Sequence, residues 1–189
     1  MLRIGIILGS TRPNRNGEAV ARWVLDEARK RGGADYELVD IAAFDLPLLD
    51  EPVPPSQRKY SKDHTKRWAA KIESFDGFVF VTPEYNHSTS AALKNAIDYL
   101  YVEWNNKAAG FVSYGSAGGT RAVEHLRGIM AELQIADVRA QVALSLFTDF
   151  ENFSSFRPQP LHQKSLAAMF EQLIAWSGAL KGMREPVAA

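Results

Sequence analysis

The stretch Arg3-Ile4-Gly5-Ile6-Ile7-Leu8-Gly9-Ser10-Thr11-Arg12-Pro13-Asn14-Arg15-Asn16-Gly17 changes character abruptly at its midpoint. Its first six residues form a compact, β-branched apolar run that reads as a strand buried on both faces, and the run stops at Gly9-Ser10. Beyond Gly17 the period becomes helical. Val20, Val24 and Ala28 fall at i, i+4 and i+8 with Trp23 beside them, while Arg22, Asp26, Arg29 and Lys30 turn outward. A buried strand feeding an amphipathic helix through a polar loop is the unit from which parallel sheets are built.

The same alternation continues along the chain. Further strands are predicted at 36–40, 78–82, 108–113 and 138–144, and further helices at 61–74, 90–101, 119–133 and 162–181. Right-handed crossovers place helices on both faces of such a sheet. Five units fit an α/β, flavodoxin-like three-layer αβα sandwich with a five-stranded parallel sheet in the order 2-1-3-4-5. In that order the loops after the first and third strands frame the crevice where ligands bind. The proline-rich stretch 46–56 lies inside this pattern, there are no repeats, and the expected organisation is one domain over 1–189.

Composition narrows the chemistry. The 189 residues are 46% hydrophobic and 23% charged, ordinary values for a globular domain. Equal numbers of basic and acidic residues, 22 of each, give zero formal charge and no global field to draw in nucleic acid or anionic lipid. The absence of cysteine excludes disulfides, thiolate metal sites and thiol catalysis, so any redox work falls to a bound cofactor. The apolar run at Ile4 to Leu8 is too short for a signal-peptide core or a membrane span, and a cytoplasmic location with no membrane partner is expected.

The first loop reads as an anion cradle. N–H groups at a helix N-terminus suit a phosphate, Arg12 and Arg15 add guanidinium forks, and Ser10 and Asn16 add neutral donors. Its spelling is neither Gly-x-Gly-x-x-Gly nor Gly-Lys-Ser/Thr, and it lacks the acidic residues of a phosphoacceptor site. The competing reading is a plain turn with solvated arginines and Asn16 as a helix cap. After the third strand, Pro83-Glu84-Tyr85-Asn86-His87-Ser88-Thr89-Ser90 offers an aromatic wall and loop N–H groups for a flat, conjugated ligand. After the fourth, Tyr114-Gly115-Ser116-Ala117-Gly118-Gly119-Thr120 lets backbone approach closely.

Taken together, Gly9-Ser10-Thr11-Arg12, Pro83-Glu84-Tyr85-Asn86 with Leu93-Lys94-Asn95-Ala96, and Tyr114-Gly115-Ser116-Ala117-Gly118-Gly119 resemble the NADPH-dependent FMN reductase family, over about residues 3 to 144. The resemblance implies an NAD(P)H-dependent, FMN-containing oxidoreductase passing electrons to quinones, flavins, azo dyes or chromate. It implies that Ser10, Arg12, Arg15, Asn16 and Gly17 hold the FMN phosphate. Pro83, Glu84, Tyr85, Asn86 and His87 would line the isoalloxazine, with Gly115 and Ser116 approaching it from the third loop. The helix bearing Lys94, Asn95 and Asp98 belongs to the subunit interface by the same analogy, and a homodimer or homotetramer is expected.

Because the flavin would accept hydride from NADPH or NADH, no side-chain catalyst is required, and donor and acceptor sharing one open face implies ping-pong kinetics. His87 stands as a ring contact rather than a base, Glu84 as an acceptor for neighbouring N–H groups, and His64, His125 and His162 as surface or cap residues. No metal-ligand spacing is present. The cluster Tyr99, Tyr101 and Trp104, and Phe147, Phe150, Phe153 and Phe156 at every third position, suit packing or a subunit contact. Two other functions remain open: a flavodoxin-like electron carrier, disfavoured by the zero net charge, and a hydrolase using Ser116, disfavoured because Tyr114 stands where Gly-x-Ser-x-Gly needs glycine.

Overall fold

The computed structural model describes residues 1–184; residues 185–189, the end of the expected 1–189 domain, lie outside the described residues. The elements in chain order are β1 (Arg3–Leu8), α1 (Gly17–Arg31), β2 (Asp35–Asp40), α2 (Asp63–Glu73), β3 (Gly77–Pro83), α3 (Ala91–Asp98), β4 (Lys107–Gly115), α4 (Thr120–Glu132), β5 (Ile135–Ser145), a short hairpin β6 (Phe150–Glu151) and β7 (Ser155–Phe156), and α5 (Leu161–Arg184). The main sheet is parallel throughout and ordered β2-β1-β3-β4-β5, as the alternation predicts.

Alternation along β1 explains the layers. Ile4, Ile6 and Leu8 pack with Val20, Val24 and Ala28 of α1 and Leu166, Phe170 and Leu173 of α5. Ile7 faces the opposite core, with Trp68 and Ile72 of α2, Leu93 and Ile97 of α3, and Leu126 and Met130 of α4. Both sheet faces are therefore covered, and β3 and β4 are buried at every position. The registers Leu8↔Val81, Pro83↔Tyr114 and Gly115↔Ser145 bring the loops after β1, β3, β4 and β5 to one sheet edge.

Two expectations are corrected and one alternative is decided. The helix predicted over 90–101 ends at Asp98, and Val102–Trp104 forms a separate 3-10 turn. Of the two readings of the aromatic cluster, packing holds for Tyr99 and Trp104, which are core residues: Trp104 packs edge-on to Phe78 at 4.9 Å and donates from Nε1 to the Ile97 carbonyl at 3.2 Å. His162 is no surface residue. It is buried, with Nε2 2.9 Å from Asp149 Oδ1.

Candidate functional site

The loop after β1 starts against the neighbouring strand. Gly9 N donates to the Val81 carbonyl at 2.9 Å, and a Cβ on Gly9 would lie 2.8 Å from that oxygen, so only glycine allows the approach. Ser10 is fully buried; its hydroxyl lies 3.1 Å from the Tyr85 hydroxyl and accepts weakly from Arg12 N at 3.4 Å. The Arg15 guanidinium donates to the Ser10 carbonyl and pairs with Asp40, the last residue of β2. Arg12, in contrast, is exposed, and its side chain has no hydrogen bond or ion pair among the described residues. Asn16 holds the N-cap position without a side-chain cap bond; its Nδ2 donates instead to the Phe153 carbonyl at 2.7 Å. Of the plain-turn reading, Asn16 at the cap position and a solvated Arg12 hold, whereas the side-chain cap bond and a solvated Arg15 do not.

Gly17 opens α1 directly beneath Tyr114. A Cβ there would lie 2.5 Å from Tyr114 Oη, and that hydroxyl is buried without a hydrogen-bond partner among the described residues. Burial pushes the phenol's pKa well up, so it stays protonated.

The second loop is a tight hairpin turn. Tyr85 and Ser88 exchange backbone hydrogen bonds of 2.9 and 3.2 Å, with Asn86 (φ 48°) and His87 (φ 74°) both left-handed and exposed at the tip. Glu84 N donates to the Tyr114 carbonyl at 3.0 Å, tying this loop to the third. The Glu84 carboxylate accepts from Arg121 N at 3.2 Å and pairs with the Arg121 guanidinium, which makes it the structural acceptor expected. Ser90 caps α3 by accepting from Leu93 N at 3.1 Å, and its hydroxyl donates to the Gly9 carbonyl, joining the second loop to the first. His125 is surface-exposed as expected and bonds from Nδ1 to the Ser88 hydroxyl at 2.9 Å.

In the third loop Gly118 and Gly119 take φ of 69° and 71°, and a Cβ on Gly119 would lie 2.7 Å from Ser113 Cβ. Gly115 lies against Glu84, where an added Cβ would meet the Glu84 Cβ at 3.2 Å. Ser116 is exposed and its hydroxyl makes no hydrogen bond among the described residues, so nothing there activates a nucleophile. Among the described residues no cluster of metal-ligating side chains occurs, and no helix is long and apolar enough to cross a membrane.

All twelve expected residues thus lie on three loops of one sheet edge or on the element ends that flank them, stitched by Ser10 to Tyr85, Ser90 to Gly9 and Glu84 to Tyr114. Residues 2–149 match the family model described as NADPH-dependent FMN reductase. The chain belongs to that family. The reductase is 37% identical over 180 residues to the NAD(P)H-dependent FMN reductase ntnL of Nectria sp, covering 90% of this chain and 89% of that protein. It is 31% identical over 144 residues to a 2-hydroxy-1,4-benzoquinone reductase of Burkholderia sp, covering 71% and 73%. Its fold matches FerB of Paracoccus denitrificans, a flavoenzyme NAD(P)H:(acceptor) oxidoreductase, with a TM-score of 0.73 at 18% identity over 95% and 98% of the two chains. As a member of this family the reductase is an NAD(P)H-dependent enzyme that works with FMN, and these relatives favour catalysis over the carrier alternative.

Sequence reasoning passed over Asp40, Tyr114's hydroxyl, Ser90 and Phe153 as parts of this site. Tyr114 had a signal, since it opens the glycine-rich motif; the others act across 25 to 137 residues of chain and leave none.

Proposed function

We propose that the three loops hold FMN, with its phosphate on residues 10–17 and its ring between the second and third loops, and that NAD(P)H and a small acceptor meet the ring there in turn. The observation that carries this reading is the direct stitching of the three loops around Gly17 and Tyr114. The residues suit the group: a glycine that brings the helix N-terminus close against Tyr114 and Leu8, a buried tyrosine hydroxyl without a partner among the described residues, and an unpaired guanidinium at Arg12. Bound FMN supplies the redox chemistry, taking hydride from the nicotinamide and delivering it to the acceptor.

The chain's own residues bind and orient. Ser10, Arg12, Asn16 and Gly17 meet the phosphate, and Arg15 shapes the same loop from the Asp40 side. Pro83, Glu84, Tyr85, Asn86 and His87 present the turn against the ring, Glu84 by bracing it on Arg121. Gly115 and Ser116 close the third side with backbone. No side chain is assigned a proton transfer, and His87 serves as a ring contact.

The acceptors proposed are quinones, free flavins, azo dyes or chromate, each of which would take its electrons from the reduced flavin ring. The reductase is proposed to act as one domain over 1–189, in the cytoplasm, as a homodimer or homotetramer. Steady-state oxidation of NADPH and NADH with a quinone tests the reading. Parallel double-reciprocal lines are expected, and intersecting lines contradict a shared face.

A further inference from the structure

Segment 146–160, between β5 and α5, carries two phenylalanine side chains held in solvent at the margin of the site. Phe147 is 66% and Phe153 59% exposed, and their rings meet edge-to-face at 5.7 Å. The segment is bonded to both outer loops: Leu146 N donates to the Gly115 carbonyl at 3.1 Å, and the Phe153 carbonyl accepts from Asn16 at 2.7 Å.

This display is built, not left over. Asn152 and Phe153 both take left-handed backbone, φ 51° and 57°, which disfavours a phenylalanine by roughly 1 kcal/mol or more. Beneath them, Asp149 is buried and accepts from Ser145 N at 2.9 Å and Gln159 N at 3.1 Å, with His162 Nε2 also 2.9 Å away. Phe156 packs on Trp23 at 5.6 Å and on Phe150 at 5.2 Å. A rigid base and a strained turn therefore hold two apolar rings outward where burial would stabilise them.

We propose that Phe147 and Phe153 form the platform on which the adenine ring of NAD(P)H rests, making them specificity-determining residues for the full dinucleotide. This rests on the reading that FMN and the donor meet in the three-loop crevice. The occupant follows from reach. A quinone or azo acceptor needs only the flavin ring, whereas a dinucleotide carries a second aromatic ring on a diphosphate tether that must settle outside the crevice. The backbone that carries the two rings is bonded to the first and third loops, the Phe153 carbonyl accepting from Asn16 and Leu146 N donating to the Gly115 carbonyl. Charge agrees: Arg157, 73% exposed on the same segment, is held by an exposed ion pair with Glu151 that a phosphate can replace.

The test compares the parent with Phe147→Ala/Phe153→Ala, using NADPH, reduced nicotinamide mononucleotide, which lacks adenosine, and one quinone, with FMN content measured independently. Loss of stacking predicts a KM for NADPH raised about three- to tenfold, with the KM values for the truncated donor and the quinone unmoved. Phe147→Trp/Phe153→Trp is expected to keep the parent's preference for NADPH. Equal change for both donors, a change confined to the quinone, or no change overturns the platform. A parent that neither binds FMN nor oxidises either donor overturns the underlying reading, and the platform falls with it.

Discussion

Arg15, in the loop after β1, is ion-paired to Asp40 at the end of β2, and the same guanidinium donates to the Ser10 carbonyl. Of the two arginines in the loop, one is thus neutralised inside the fold and the other, Arg12, is free. Arg12→Ala is expected to weaken FMN binding about tenfold or more, the range for one charge-assisted bond, with little change in melting temperature. Asp40→Ala strands a mostly buried guanidinium and is expected to lower stability by about 1–3 kcal/mol. Fluorescence titration of FMN and thermal unfolding separate the two roles; equal losses of FMN affinity in Arg12→Ala and Arg15→Ala would contradict the division.

Gly17 and Tyr114 make a matched pair. Gly17→Ala sets a methyl 2.5 Å from the tyrosine hydroxyl and 3.0 Å from Leu8, overpacking expected to destabilise by about 1–3 kcal/mol. Tyr114→Phe removes the unpartnered hydroxyl and is expected to be neutral or mildly stabilising, and the double variant recovers most of the loss. Additive losses in denaturant unfolding would show that the two positions do not touch.

What the sequence made legible was what is encoded locally. Ile4 to Leu8 and Phe78 to Thr82 are buried at every position and hold the centre of the sheet, so the layer order followed from them. β5 begins at Ile135, three residues before the predicted 138, because Asp137 reads as polar until Arg127 pairs with it and Ile135 pairs with Lys107. The three loops were legible from their residue types. The division of labour between Arg12 and Arg15 was not, since Asp40 lies 25 residues from its partner. His162 looked like a surface residue for the same reason: only the folded chain brings Asp149 to it.

His87 holds φ 74° at the tip of the second loop, a conformation glycine adopts without strain. His87→Gly is expected to raise stability by up to about 1 kcal/mol, or roughly 2–4 °C in Tm, and to leave the pH profile of NADPH oxidation unchanged. A profile that loses an ionisation near neutral pH would assign His87 a proton-transfer role after all.

Lys107 is buried at the start of β4, far from the loops, donating to the carbonyls of Ile72 at 2.8 Å and Glu73 at 3.2 Å. Burial, aided by the Arg184 guanidinium, lowers its pKa from 10.5 to about 7. Between those values the unfolded chain binds the proton and the folded chain does not, so stability rises with pH across that window. The expected gain from pH 7 to pH 10 is on the order of a few kcal/mol. Lys107→Met should flatten that slope in denaturant melts; an identical slope in the variant would show that the ammonium is as comfortable folded as unfolded.

Phosphate recognition by residues 10–17 is tested most directly by titrating flavin-free protein with FMN and, separately, with riboflavin. FMN is expected to bind one per chain and about a hundredfold or more tighter than riboflavin, the effect of losing several charge-assisted contacts to the dianion. Equal affinity for the two flavins, or no binding of either, would contradict the site.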